Sequence, residues 1–346
     1  MILGAEKMSS GLKLLIGAVG IYGAYMNYGL YQEQVFHYKS ASGAKFTQTW
    51  FLNAAEAFTS VLVALVGFAL FKSNAPGALP QALIAVSGLS QVTAKASFSL
   101  GLVYKVSYAV ATLAKSAKMA PVMVGNILRG VTYKFVQYLQ VGAIIAGTIM
   151  VSWKPPPKDP CASLSGSALS KCVASKKVDE SSMLGVAFVC VSLICDGITS
   201  NMQGQSKNKM KAAKLEEKPH ESMFYTNLYM GIFALAAALY FGEVKTGLEL
   251  CKANPALLEK IAKFCVCSAF GQIFIFFTIA SFDSLTSTTI TTTRKIFTVL
   301  LSIYNNYKET PLSPLGWTGL AVATVGILFE IAEKAGGGGH GKEKKT

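Results

Sequence analysis

The chain has 346 residues, of which 52% are hydrophobic and only 14% are charged. Soluble domains carry about 25% charged residues, so this composition excludes an ordinary soluble protein. It predicts an all-α membrane protein, because helices satisfy their own backbone hydrogen bonds inside a bilayer. The net charge of +14 does not indicate nucleic-acid binding, since the lysines and arginines are scattered over many short connections and form no basic arm.

A helix that crosses a bilayer needs about 20 mostly apolar residues. Ten runs of the chain are predicted to be such spans. The first run is too long for a cleavable signal peptide and lacks a small-residue cleavage site, so we expect it to remain as a span. The predicted spans cover residues 12–31, 48–71, 80–104, 106–128, 134–153, 183–203, 222–242, 261–282, 285–304 and 315–332.

The connections between the spans leave no room for a soluble domain of useful size. Residues 154–182 contain three consecutive prolines followed by small polar residues, and this composition predicts a flexible loop. Residues 204–221 are charged. Residues 334–346 are rich in glycine and are predicted to form a disordered tail.

Cysteines and histidines do not suggest a metal or cofactor site. Neither residues 265–267, Cys-x-Cys, nor the three histidines have the spacing of a zinc or haem site. Cys161 and Cys172 share the predicted loop and would pair only if it faces an oxidising lumen, an alternative that stays open. No metal-binding acidic pair or catalytic loop motif is present, so we do not predict an enzyme. We do not predict a channel either, because a channel would need a repeated ring of one residue type.

Four basic side chains interrupt predicted spans: Lys115, Lys118, Arg294 and Lys295. A charge near the middle of a bilayer costs at least about 2.5–3.5 kcal/mol, so such residues normally face a cavity. Lys115 and Lys118 share a helix face, whereas Arg294 and Lys295 diverge by about 100°, so both reach one cavity only if it is wide or wraps around the helix. Arginine contacts phosphate in bidentate fashion and lysine acts as a point charge. The pattern predicts a pocket for an anionic cargo such as a nucleotide diphosphate or triphosphate.

Two alternatives apply to these segments. The basic side chains could pair with buried acids, but few are available: Glu33, Glu56, Asp196 and Asp283. Thr291 and Thr292 lie on the face of Lys295 and either line the cavity or bond back to carbonyls of their own helix. We therefore expect an excess of positive charge and include Thr291 in the candidate site.

The two charged spans also suggest an internal repeat. An offset of 177 residues aligns residues 112–119 with residues 289–296, and this offset is close to half the chain. Five spans per half would give the two copies opposite orientations. Such inverted repeats place a transporter's site at their interface near the bilayer midplane. We predict ten transmembrane helices in two inverted five-helix repeats, residues 1–153 and 183–333.

The end of the sequence predicts the orientation and the compartment. Lys344 and Lys342 are third and fifth from the last residue, the pattern of the dilysine retrieval signal that cytosolic coat proteins bind. Such a signal is an address that a receptor recognises. It predicts cytosolic termini and residence in the endoplasmic reticulum or early Golgi, with a merely solvated basic tail as the alternative.

Several segments resemble one branch of the nucleotide-sugar transporters. Residues 28–33, YGLYQE, resemble its YGxxQE signature, and residues 113–123, LAKSAKMAPVM, resemble its LAKSxKxxPVM segment. The segments 196–199, DGIT, then 271–276, GQIFIF, and 289–295, TITTTRK, follow in the family order. This branch contains UDP-galactose and UDP-glucose transporters of the endoplasmic reticulum, its ATP/ADP exchanger and the phosphoadenosine-phosphosulfate transporters.

The resemblance implies a secondary antiporter with ten helices and no cofactor. Its cargo would be UDP-galactose or UDP-glucose, carried into the lumen against a nucleoside monophosphate, while ATP/ADP exchange stays an open alternative. The lysines of the fourth span and the Arg-Lys pair of the ninth would hold the phosphates. Tyr28 and Glu33 would lie near the site. Gln272 is the amide that we expect to contact the base, and Lys95 in the third span has no assigned role.

Overall fold

The computed structural model describes residues 9–39, 43, 45–74, 78–118, 120, 123–124, 127, 132–152, 167–215, 218–282, 284–305 and 313–335. Within these ranges the regular structure is helical, apart from one isolated bridge between Lys39 and Lys45. The helices are α1 (Ser10–Phe36), α2 (Thr49–Leu70), α3 (Gln81–Val103), α4 (Tyr108–Ala114), α5 (Phe135–Ser152), α6 (Ser167–Ala212), α7 (Pro219–Tyr240), α8 (Glu243–Ala253), α9 (Pro255–Ser281), α10 (Ser284–Asn305) and α11 (Pro314–Ala335).

Each predicted span overlaps one of these helices, but the fourth, 106–128, is described only as α4 and a 3-10 turn at Lys115–Lys118. Among the described residues, three helices are long and apolar enough to cross a membrane: α2, the part of α6 at Met183–Ala212, and α7. Shorter apolar helices lie at Phe135–Val151 in α5 and Pro314–Phe329 in α11. The chain is therefore a multi-pass membrane protein. Its number of spans and their inverted arrangement stay predictions.

Helix α6 extends into regions that we predicted to be connections. It begins at Ser167, so the interpretation of residues 154–182 as a flexible loop is wrong from that residue onward. The segment after Gly166 contains no glycine or proline until Gly185 and includes good helix formers such as alanine, leucine and lysine. Residues 153–166, with Cys161, lie outside the described part of the chain.

Helix α8 was not predicted, because it is short and too polar to cross a membrane. The chain leaves α7 through Gly242, whose φ of +70° is a conformation that glycine adopts readily. Gly247 of α8 packs on Phe51 of α2, where a Cβ atom would lie 2.8 Å from the ring. Pro255 begins α9 immediately afterwards. The connection after the seventh predicted span is thus a helix fixed to the α2 and α7 ends.

The described helices belong to two compact units, residues 1–96 with 194–298 and residues 97–193 with 299–346. In the first unit α1 packs along α9 and α2 along α7, and α8 contacts α2, α7 and α9. In the second unit α5 packs along α11. That contact is close, since a Cβ atom on Gly147 would lie 2.4 Å from the Gly319 carbonyl oxygen.

Each unit takes segments from both halves of the chain. The units therefore do not follow the boundaries of the predicted repeats. Helix α11 extends to Ala335. The remainder of the predicted tail, residues 336–346 with Lys342 and Lys344, lies outside the described residues.

Candidate functional site

Arg294 on α10 is held by α1 in the first unit. Its Nη1 donates to the carbonyl oxygen of Tyr25 at 3.2 Å and to Thr298 Oγ1 at 3.3 Å. Its guanidinium carbon lies 5.1 Å from the centroid of the Tyr25 ring, a cation–π distance. A carbonyl, a hydroxyl and a ring thus orient the guanidinium, and these three groups are neutral.

Among the threonines beside Arg294, Thr293 bonds back to its own helix, which is one of the two arrangements that the sequence leaves open for its neighbours Thr291 and Thr292. Thr293 Oγ1 donates back to the Ile290 carbonyl at 3.0 Å and accepts from the Tyr22 hydroxyl at 2.8 Å. Thr292 is buried and Thr291 is half-buried on the same helix. A role for Thr291 in the site stays a prediction.

Lys295 is half-buried on α10, next to Arg294. Lys115 and Lys118 belong to the second unit, where α4 gives way to a 3-10 turn at Lys115–Lys118. Residues three apart in such a turn lie on one side of it. Lys115 Nζ is 4.8 Å from the centroid of the Phe98 ring, while the Lys118 side chain is outside the described atoms.

The motif at the end of α1 contains an aromatic residue that contacts two rings and an acid that is buried. Tyr28 stacks on Phe264 of α9, with ring centroids 4.5 Å apart, and meets the Tyr25 ring edge-on at 5.7 Å. Glu33 is buried on α1. Tyr28 and Arg294 therefore contact the same aromatic residue, Tyr25. The distance of Glu33 from the cargo stays a prediction.

Gln272 on α9 joins three helices of the first unit. Asn227 Nδ2 on α7 donates to Gln272 Oε1 at 2.7 Å. Gln272 Nε2 donates to Ser60 Oγ on α2 at 3.3 Å and to Asn227 Oδ1 at 3.4 Å. In this structure both ends of the amide bond to protein groups. A contact from Gln272 to a base stays a prediction.

Lys95 forms an ion pair that our sequence reasoning missed. Its Nζ lies 2.7 Å from Glu56 Oε1 on α2, and Ser268 Oγ on α9 donates to the same oxygen. Glu56 is 1% exposed, and its Oε2 has no hydrogen-bond partner among the described residues. One signal was available, because an acid and a base inside neighbouring spans are each costly alone. Glu56 is thus engaged by Lys95, a fifth intramembrane cation.

Other candidate ligands do not form a second site in the described residues. No three histidine, cysteine or acidic side chains cluster there as metal ligands would. The thiols of five described cysteines are free: Cys190, Cys195, Cys251, Cys265 and Cys267. The pairing of Cys161 with Cys172 falls outside the described atoms, as does Asp283.

Membrane-crossing helices with oriented charges in their interior are typical of transporters of polar solutes. The chain belongs to the UAA transporter family, whose family model matches residues 13–334. This confirms the prediction of a nucleotide-sugar transporter family from the sequence motifs.

Named relatives align over nearly the full length. The chain is 29% identical over 333 residues to solute carrier family 35 member B1 of Xenopus tropicalis, covering 94% of this chain and 95% of the relative. It is 29% identical over 352 residues to UDP-galactose transporter homolog 1 of Eremothecium gossypii, covering 98% and 100%. It is 29% identical over 334 residues to UDP-galactose/UDP-glucose transporter 3 of Arabidopsis thaliana, covering 94% and 95%.

Proposed function

We propose that the protein is a secondary antiporter that carries UDP-galactose or UDP-glucose into the lumen of the endoplasmic reticulum or Golgi and returns a nucleoside monophosphate. The observation that supports this most directly is Arg294, whose guanidinium is oriented by Tyr25 and Thr298 inside a helix of a UAA transporter family member. The names of two relatives favour UDP-hexoses over adenine nucleotides.

In this proposal the diphosphate binds the basic side chains: Lys115, Lys118, Arg294 and Lys295. Hydrogen bonds between such groups and phosphate are charge-assisted and therefore strong. The ion pair of Lys95 with Glu56 supports this role, because it occupies one of the few acids that could have offset the charge of the other four cations. The sugar or base would contact Tyr28, Glu33, Gln272 and Thr291.

We also propose that the ten helices form two inverted five-helix repeats. In such a repeat each of the first five spans corresponds to the span five places later. Helices α1 and α9 are the first and eighth spans, so the counterpart of their contact is one between the sixth span, α6, and the third, α3. That contact exists, since Ser90 Oγ on α3 donates to the Cys195 carbonyl on α6 at 2.8 Å. The same exchange maps the α2–α7 and α5–α11 pairs onto themselves. These three helix pairs support the proposal, since a duplication requires such a correspondence.

Side-chain contacts at the two ends of the α2–α7 pair support the same symmetry. At one end the Phe71 and His220 rings lie 6.0 Å apart and Ser73 Oγ is 3.0 Å from His220 Nε2. At the other, the Phe241 and Trp50 rings lie 6.5 Å apart and Glu243 Oε2 accepts a hydrogen bond from the backbone N–H of Trp50 at 2.7 Å. An offset of 170 residues converts each contact of the first set into one of the second.

Uptake into proteoliposomes tests the function. Purified protein would be reconstituted with internal UMP and offered labelled UDP-galactose, UDP-glucose, ATP or phosphoadenosine phosphosulfate. We expect UDP-hexose uptake that depends on internal UMP. Uptake of ATP alone, against internal ADP, would instead identify an adenine nucleotide exchanger. No uptake of any nucleotide would overturn the proposal.

A further inference from the structure

Tyr25 on α1 lies against a glycine of α9. A Cβ atom built on Gly271 would lie 2.5 Å from Cε2 of the Tyr25 ring and 2.8 Å from its Cδ2 and Cζ atoms. Real Cβ atoms do not approach other heavy atoms this closely. The ring therefore occupies space that exists only because residue 271 has no side chain, and Gly271 determines where the ring lies.

The same tyrosine contacts Arg294 in two ways. Its ring lies under the guanidinium at 5.1 Å, and its own carbonyl oxygen accepts a hydrogen bond from Arg294 Nη1. Thr298, one turn along α10, accepts a second bond from that nitrogen. Since Tyr25 contributes both a backbone and a ring contact, a shift of this one residue would displace the guanidinium.

We infer that Tyr25, seated on Gly271, is the positioning residue that orients Arg294 for the phosphates of the cargo. This inference rests on the proposed function. Arginine has a long side chain with many rotamers, and a ligand that must order it binds more weakly than a ligand that finds it ordered. The carbonyl, the hydroxyl and the ring that contact the guanidinium carry no charge.

Three substitutions separate the ring from other effects. Tyr25→Phe keeps the ring and the carbonyl, Tyr25→Leu removes the ring, and Gly271→Ala displaces it. Gly20→Ala is the matched control for packing, because its Cβ atom would lie 2.3 Å from the Phe274 ring at another point of the α1–α9 contact. Gly23→Ala controls for the glycine change itself, since nothing lies within 4 Å of its Cβ position.

The main measurement is UDP-galactose uptake by proteoliposomes preloaded with UMP. We expect Tyr25→Leu and Gly271→Ala to raise KM about tenfold, the size of one lost cation–π or charged hydrogen-bond contact, with little change in maximal rate. Tyr25→Phe and both control variants should stay within about twofold of the wild type. In an Arg294→Lys background, Tyr25→Leu should add little, because the two residues act as one unit.

A second measurement does not depend on transport. Modification of Arg294 by phenylglyoxal, followed by mass spectrometry of the cargo-free protein, should be faster in Tyr25→Leu and Gly271→Ala than in the wild type, Tyr25→Phe or Gly20→Ala. If the wild type transports no nucleotide, the proposed function is wrong, and the labelling rates still decide whether Tyr25 positions Arg294. Unchanged KM and labelling in Tyr25→Leu, or an equal defect in Gly20→Ala, would overturn the inference.

Discussion

Lys95 Nζ on α3 lies 2.7 Å from Glu56 Oε1 on α2, and this pair is placed among the helices of the first unit. The side chains are 19% and 1% exposed. In such surroundings each charge stabilises the other mainly because a buried charge without a partner has a high free energy. The pair therefore explains why Lys95 lies inside a predicted span, and it requires no contact between Lys95 and the cargo.

Single and double substitutions of this pair should differ strongly. Lys95→Met or Glu56→Gln alone should destabilise the protein by about 3–5 kcal/mol, because each change alters one member of a buried pair and leaves the other's charge or polar group uncompensated. The double variant should recover most of the loss. Thermal unfolding in detergent measures this.

The Lys263–Glu259 ion pair on α9 is the matched control, since its side chains are 49% and 64% exposed. Lys263→Met should leave unfolding nearly unchanged. If the Lys95 and Glu56 variants were as stable as Lys263→Met, the buried pair would not hold the helices together.

The second prediction concerns the basic side chains of the fourth and ninth spans. Lys118→Ala or Lys295→Ala should leave expression intact and abolish uptake. A charged hydrogen bond to phosphate is worth about 1.5–3 kcal/mol, so losing one should weaken binding roughly tenfold or more. Lys209→Ala, an exposed position near the end of α6, is the control. Wild-type uptake by both variants would contradict a basic pocket.

The third prediction is obligatory exchange. In the proposed binding pocket, the charges of several cations should disfavour the occluded state through which the transporter must pass to change sides when no nucleotide is bound. A bound nucleotide offsets their charge and allows the transition. Vesicles without internal nucleotide should therefore take up cargo much more slowly than preloaded vesicles. Equal rates in the two preparations would indicate a uniporter.

The fourth prediction concerns Glu243 on α8, whose Oε2 accepts the N–H groups of Trp50 and Phe51 at 2.7 and 3.0 Å. Burial raises the pKa of this carboxyl, and the two amides partly offset that effect. The unfolded chain then releases its proton at lower pH than the folded protein. Its contribution to stability should consequently fall as pH rises between the two pKa values.

Glu243→Gln keeps an acceptor oxygen and removes the charge, so this variant should unfold at or above the wild-type Tm and should lose that pH dependence. Glu243→Ala leaves two first-turn amides of α2 without the acceptor and should cost about 0.5–2 kcal/mol. The three proteins are compared by measuring Tm in detergent between about pH 4 and about pH 8, a range that contains the ordinary pKa of a glutamate side chain. A flat wild-type profile would contradict the assignment.

The features that could be predicted from the sequence are those that depend only on consecutive residues. The length of an apolar run determines whether it can span a bilayer, so residues 48–71 predicted α2 at Thr49–Leu70 within a residue at each end. A charge inside such a run is equally visible, which is why Arg294 and Lys295 were candidates. The short helix α8 and the start of α6 depend on helix propensity outside the membrane, which hydropathy does not report.

The contacts of the candidate site could not be predicted, because they depend on how the helices pack against one another. Tyr25 and Gly271 are far apart in sequence, and their fit depends on the register between α1 and α9. The pairing of Lys95 with Glu56 depends likewise on which faces of α2 and α3 meet. Gln272 is an informative case, because we predicted that its amide contacts the base, and in this structure the amide bonds to Asn227 and Ser60.

The fifth prediction concerns the tail that follows α11. Residues 336–346 are glycine-rich and polar, so they should contribute little to packing, and their Lys342 and Lys344 match a retrieval signal. Replacing both lysines with serine should move the protein to later secretory compartments while the transport rate of the purified protein stays unchanged. Replacing Lys345 alone is the control, since it changes the charge of the tail without altering the two signal positions. Retention of the double variant in the endoplasmic reticulum would show that the tail is only a solvated end.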